Sequence, residues 1–393
     1  MLKEIADRWI DDGHTVDVVT SQPSYRASRT RRQLRKSDEN GVRVLRLPLK
    51  PEIGRPMTRI LNSIRLSLNV FVRAAAGRYD VVMVSTSPPV VLAFAAALGS
   101  SIGRARFLYH CMDLHPEIGQ LSGEFRNPHV YKLLMMLDSF AVKRARPAVV
   151  LSDDMEASLR RRPSGGSFRV AIRNNFALTD ETVSAGLGAD GLAQRIWEES
   201  DIPEAAFVLI FAGNIGRFQG LENVIEGIAR LHEIAPTNSV YLLFVGDGPC
   251  VERLRQRSLE LGVAHVIKFA GLQTVSVARE LIRLADVALV TLQTDVIKFA
   301  YPSKTATYAD LGLPMLVVVE HDSGLARTID EEELGGTAPP NDPIALAQQM
   351  LRLSLLAKQD LIGMGARATA FAAETFDKRE AISWWSAEIE EEE

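Results

Sequence analysis

The stretch Phe207-Val208-Leu209-Ile210-Phe211-Ala212-Gly213-Asn214-Ile215-Gly216-Arg217-Phe218-Gln219-Gly220-Leu221 sets an apolar run against a glycine turn that opens a helical pattern from Glu222 to Leu231. A short apolar run bounded by glycines reads as a buried strand. Backbone N–H groups at such a turn, with a helix amino terminus behind them, suit an anion, and Arg217 and Gln219 would add side-chain donors. The plainer reading is that the glycines only let strand and helix pack closely. Both readings stand at this point, and the spacing does not match G-x-G-x-x-G.

On both sides of this stretch, short β-branched runs alternate with helical patterns along the whole chain, the mark of βαβ units around parallel sheets. Strands are expected at 15–20, 42–47, 80–85, 106–112, 148–151 and 168–173, then at 207–212, 240–245, 266–269, 287–291 and 315–319. At 393 residues the chain exceeds the roughly 250–300 at which a single core stops growing, so two doubly wound domains are expected. The expected division is 1–180, 181–375 and a helix over 376–393 that crosses back to the first domain, with a strand-poor linker between Asn175 and Pro203. The chain opens in an amphipathic helix (Leu2, Ile5, Ala6, Trp9, Ile10) where a Rossmann half has a strand and a Gly-rich turn. The first domain therefore reads as lacking its first strand, through a start placed too far downstream or through loss of the strand.

Composition is that of a globular protein, 47% hydrophobic and 24% charged. Two cysteines, Cys111 and Cys250, build no disulfide framework and favour a reducing compartment, the cytoplasm. No signal peptide is visible, because Lys3, Glu4, Asp7, Asp11 and Asp12 follow Met1 closely. Pro88 and Pro89 interrupt the apolar run from Val81 to Ile102, which reads as a strand and a helix, not a membrane span. The net charge of -4 hides a basic segment over 25–79, rich in arginine and interleaved with Ile60, Leu61, Ile64 and Leu68. Such a segment lies on an anionic membrane surface or forms a solvated face on an ordinary core helix.

Three further stretches carry chemistry. Val245-Gly246-Asp247-Gly248-Pro249 is a tight turn after a strand, without the third glycine of a dinucleotide fingerprint. Tyr301-Pro302-Ser303-Lys304 opens a helix with Ser303 as candidate cap and Lys304 able to neutralise phosphate charge. His110-Cys111-Met112-Asp113-Leu114-His115-Pro116-Glu117 follows a strand, where α/β folds place ligands. There Asp113 and Glu117 would orient a sugar hydroxyl or take a proton, His110 is placed to face a cleft, and His115 suits a structural role as well. A metal reading lacks a further ligand cluster.

Together with Ser85-Thr86-Ser87-Pro88-Pro89, Leu151-Ser152-Asp153-Asp154-Met155 and Asn174-Asn175-Phe176, these segments resemble glycosyltransferase family 4, in the subgroup of colanic acid and O-antigen type polysaccharide synthesis. The resemblance implies the GT-B architecture, two Rossmann-like domains facing a central cleft. It implies a retaining, metal-independent hexosyltransferase with no cofactor, moving sugar from a nucleotide-sugar, commonly UDP-linked, to a lipid-linked saccharide at the cytoplasmic membrane face. It implies donor binding by Gly213, Asn214, Gly216, Arg217, Gln219, Gly246, Asp247, Ser303, Lys304 and Thr307, with Leu272 at the base, and catalysis near Asp113, His110 and Glu117. Nucleic acid is not among the implied partners. Thr307 stands where the family carries the glutamate that binds ribose, and Asn214 and Gln219 stand where many relatives carry Arg and Lys; Asp310, three residues on from Thr307, is a conceivable substitute. Two alternatives follow: a catalytically weakened sugar-nucleotide-binding or scaffold protein, and a sugar-nucleotide epimerase.

Overall fold

A computed structural model of the chain describes residues 1–22, 34–50, 56–163, 167–177 and 188–391. The chain divides into two units, Met1–Asn174 with Lys378–Glu393, and Asn175–Asp377. The division expected at residues 180 and 181 lies outside the described residues, as do Arg26, Arg29, Arg31, Arg32 and Arg55 of the basic segment.

The first unit runs α1 (Leu2–Asp11), β1 (Asp17–Ser21), β2 (Lys36–Glu39), β3 (Val42–Leu47), α2 (Pro56–Ala75), β4 (Val81–Ser85), α3 (Val91–Gly103), β5 (Arg106–His110), α4 (Glu117–Leu121), α5 (Pro128–Arg144), β6 (Ala148–Val150), α6 (Asp153–Arg160) and β7 (Val170–Ile172). The second runs α7 (Ala189–Glu199), β8 (Phe207–Ala212), α8 (Leu221–Ile234), β9 (Val240–Val245), α9 (Val251–Glu260), β10 (Ile267–Gly271), α10 (Val275–Arg283), β11 (Val287–Thr291), α11 (Lys304–Asp310), β12 (Met315–Val318), α12 (Gly324–Glu331), β13 (Gly335–Ala338), α13 (Pro343–Ser354) and α14 (Lys358–Thr375). A last helix, α15 (Lys378–Glu390), belongs to the first unit.

In the first unit the strands form two sheets: β1-β3-β2, with β2 antiparallel, and the parallel β4-β5-β6-β7. In the doubly wound order one strand separates the positions that β1 and β4 hold, and among the described residues no ladder joins them. A polar contact links their entrances, Tyr79 Oη donating to Asp17 Oδ2 at 2.8 Å. Helix α1 packs its apolar face with α15 over β4, β5 and β6: Ile5, Leu108, Val149 and Trp385 form one buried cluster. Trp9 Nε1 donates to the Trp385 carbonyl at 3.2 Å, and Lys378 pairs with Glu4.

The second unit holds one parallel sheet in the order β10-β9-β8-β11-β12-β13. Counted within the unit this is 3-2-1-4-5-6, the dinucleotide-type order, whose direction reverses between its first and fourth strands. Its core is continuous, with Leu209, Phe211, Leu242 and Phe244 packed against Val224 and Ile228 of α8 and Leu346 and Met350 of α13. Helix α7 lies in the stretch expected to be linker and packs on α10. Strands β2 and β13 were not expected from the sequence pattern. Lys36-Ser37-Asp38-Glu39 has no apolar alternation and forms because β3 offers it a ladder, while Gly335-Gly336-Thr337-Ala338 lacks any β-branched run and is selected by close approach to Met315.

Candidate functional site

The reversal of strand order in the second unit puts the carboxyl ends of β8 and β11 side by side. The turn after β8 and the loop after β11 touch through Gln293 N donating to the Phe218 carbonyl at 2.8 Å. Helix α11 is fastened to the same edge by Tyr308, whose hydroxyl accepts from Ala212 N at 2.8 Å and donates to Ala212 O at 3.3 Å. Lys304, one turn earlier on α11, thereby reaches the glycine turn. Its Nζ donates to Gln219 Oε1 at 2.8 Å and stands 3.6 Å from the Phe211 ring centroid. Desolvation holds this ammonium well below the ordinary lysine range, and among the described residues no carboxylate pairs with it. A cation in that setting is costly unless an anion joins it.

The remaining candidates divide by what they already do. The Gly213 N–H is spent on the Val245 carbonyl at 2.9 Å and the Ile215 N–H on the Asp247 carbonyl at 3.0 Å, so neither is left for a ligand. Gly246 is there for close approach: at φ +145° a Cβ would stand 1.9 Å from the Gly213 carbonyl oxygen. Asp247 is exposed and accepts from Gly248 N at 2.7 Å, which makes it a turn residue. Asn214 and Arg217 are exposed on the turn, Gly216 is buried, and Leu272 lies exposed in the loop after β10. Ser303 occupies the cap position of α11 without a side-chain capping bond, a correction to the expected cap. Helix α11 is seven residues long, so its dipole is short and Lys304 carries the charge there. Thr307 is half-buried on α11, and Asp310 pairs with Arg279 at 2.7 Å.

In the first unit the three expected catalytic side chains part company. His110, at the end of β5, is 1% exposed and turns its ring edge-on to Trp385, with centroids 5.1 Å apart. Burial lowers its pKa to about 4, so it is a neutral core imidazole, not a side chain open to a cleft. Glu117 is buried and gripped by Arg162, Nε to Oε1 and Nη2 to Oε2 both at 2.8 Å. Both of its oxygens are thus bound to Arg162 inside the unit, which departs from the expectation that it serves a substrate. Asp113 alone reaches solvent, although surrounding chain desolvates it enough to raise its carboxyl above the usual range.

Arg162 and Asp138 are the residues that sequence reasoning missed. Arg162 Nη1 also donates to Asp138 Oδ2 at 2.6 Å and Nη2 to the His115 carbonyl at 2.8 Å; Tyr109 Oη donates to Asp138 Oδ1 at 2.8 Å. A single guanidinium thus fixes the segment from His115 to Glu117 against α5. Asp138 was visible as the lone acid in the apolar run of α5, whereas nothing distinguishes Arg162 from Arg160 and Arg161 beside it. Burial raises the Asp138 carboxyl although Arg162 pulls it down.

The neutral His110 makes a pH prediction. Its folded pKa of about 4 lies below the ordinary 6.5, so the unfolded chain takes up a proton first as pH falls. Stability from this group is complete above the ordinary value and is lost toward the folded one, by about 3 kcal/mol. His110→Phe, which keeps a ring against Trp385, is expected to flatten the decline of Tm between about pH 7 and 4. Melting curves with the same slope in both proteins would refute it.

Among the described residues no group of three or more His, Cys, Asp or Glu side chains gathers as for a metal ion, and no helix is long and apolar enough to cross a membrane. Residues 1–174 match the glycosyl transferase 4-like domain, and residues 206–355 match the glycosyl transferases group 1. The chain is 29% identical over 299 residues to the "Probable glycosyltransferase WbjE" of Pseudomonas aeruginosa, covering 75% of this chain and 71% of that protein. It is 26% identical over 197 residues to WcaI of Escherichia coli (strain K12), a glycosyl transferase named for colanic acid biosynthesis, covering 49% of this chain and 46% of that one. In structure it resembles sucrose-phosphate synthase from Thermosynechococcus elongatus, with a TM-score of 0.72 at 15% identity over 98% of this chain and 91% of that one. It likewise resembles Anabaena Alr3699/HepE in complex with UDP-glucose, with a TM-score of 0.65 at 17% identity over 89% and 86% of the two chains. At these identities the structural likeness carries the fold alone, the GT-B type with two α/β units.

Proposed function

The chain belongs to the glycosyltransferases of this two-domain family, and from that membership we propose that it transfers a sugar with retention from a nucleotide-sugar, UDP-linked, to a lipid-linked saccharide in polysaccharide synthesis. The observation that carries the donor reading is Lys304, a desolvated ammonium on an amide oxygen and an aromatic face, with no carboxylate beside it among the described residues. As the anomeric carbon–oxygen bond breaks, the nucleoside diphosphate takes the electron pair, and a fixed cation at that oxygen lowers the barrier. Lys304, with Arg217 and Asn214 exposed on the facing turn, fills that part without a metal ion. Asp113 is the side chain of the first unit assigned to the acceptor, holding a hydroxyl or taking its proton. The relation to WcaI supports the polysaccharide setting.

A second reading, a sugar-nucleotide-binding protein of weakened activity, draws on Thr307 and on the engagement of Asp310 by Arg279. Thermal shift separates them from other classes. UDP at a hundredfold its Kd is expected to stabilise the chain by roughly 2.7 kcal/mol, with GDP weaker and NAD inert. A UDP shift without product formation favours the second reading; no shift with any nucleotide removes both.

A further inference from the structure

Helix α2 carries its apolar residues on the wrong side for a core helix. Met57, Ile60, Leu61, Ile64, Leu68 and Val72 recur at helical spacing, and all are exposed, Met57 by 68% and Leu68 by 59%. The opposite face, with Leu66 and Ala74 buried, already packs on α3. The spacing of i, i+3 and i+4 makes the outward stripe continuous over about 22 Å. Helix α5 repeats the pattern on a smaller scale, exposing Val130, Leu133 and Met136. Strands β4, β5 and β6 are successive parallel neighbours, so right-handed crossovers set α3 and α5 on one face of the sheet. As α2 and α5 both pack on α3, the two helices belong to one helical layer.

The charge of that layer has one sign. Helices α2 and α3 contain no acidic residue, and the one in α5, Asp138, is buried on Arg162. Arg59 and Arg65 on α2, Arg104 after α3, and Lys132, Lys143 and Arg144 on α5 are exposed, and Glu124 meets Arg59 at 3.5 Å. From this pairing of apolar stripes with cations we infer that the α2 and α5 layer docks on the headgroup and acyl boundary of an anionic lipid bilayer. Two copies of a cationic face repel each other, which disfavours self-association through it. Nucleic acid would leave the apolar stripes without a partner. The inference gives a surface to the membrane attachment that a lipid-linked acceptor requires, yet it is tested without donor, acceptor or turnover.

The test is cosedimentation of the full chain with phosphatidylcholine vesicles, with and without phosphatidylglycerol. The chain is expected to bind the anionic vesicles and to be released by salt, as screening shortens the reach of the arginines. Leu61→Ser with Leu68→Ser is expected to weaken binding by roughly tenfold or more, and Arg65→Gln by about fivefold, with Tm unchanged because these side chains are exposed. No sedimentation with either vesicle overturns the inference, as does undiminished binding of the serine variant. A wild type that is dimeric, with the serine variant monomeric and neither bound to vesicles, assigns the face to a second copy and also overturns it. Vesicle binding by a chain that shows no shift with any nucleotide would leave this inference standing while the transferase reading falls.

Discussion

Lys304→Met is expected to lower kcat/KM for a nucleotide-sugar by roughly 10²- to 10³-fold, the loss typical of removing one fixed donor from developing negative charge. The same change is expected to leave Tm unchanged or raised. The ammonium is desolvated and, among the described residues, has the Gln219 amide oxygen and the Phe211 ring to compensate it, so the fold gains little from the charge. Methionine retains most of the stem volume and avoids a cavity beside Phe211. Steady-state kinetics with melting curves on one preparation decide the matter: a stable, fully active variant would take Lys304 out of the site.

Arg162→Met is expected to cost the first unit about 3–5 kcal/mol, because two buried carboxylates would then lack their cation. That is a large share of a domain stability of about 5–15 kcal/mol. Glu117 would lose both hydrogen bonds at 2.8 Å, Asp138 its contact at 2.6 Å, and the His115 carbonyl its donor. Urea denaturation of the full chain reads the loss. The triple variant Arg162→Met, Glu117→Gln, Asp138→Asn is expected to recover part of it, since no buried charge remains. A single variant as stable as the wild type would show that the network contributes nothing.

These two residues mark different limits of the linear sequence. Lys304 was legible because it follows Pro302 and Ser303 at the mouth of a helix, a local pattern. What made it special, the approach of Gln219 and Phe211, depends on a strand order in which residues far apart in sequence become neighbours. Arg162 had no local signal, because three arginines in a row differ only in which one the turn after α6 points inward. His110 and Glu117 stand where strand-end reasoning put them, yet one faces Trp385 and the other Arg162.

The alternation of strands and helices, the two α/β units and the glycine turns were legible locally, since each follows from hydrophobic period and backbone freedom within a few residues. So was the richness of the first half in arginine and in apolar residues at helical spacing. Packing between distant residues sets which face of α2 meets α3 and which meets solvent, which carboxylates are bound by Arg162, and that Lys304 lacks a counter-charge among the described residues. Burial and charge compensation are properties of surroundings, and surroundings are assembled from residues that no local window contains.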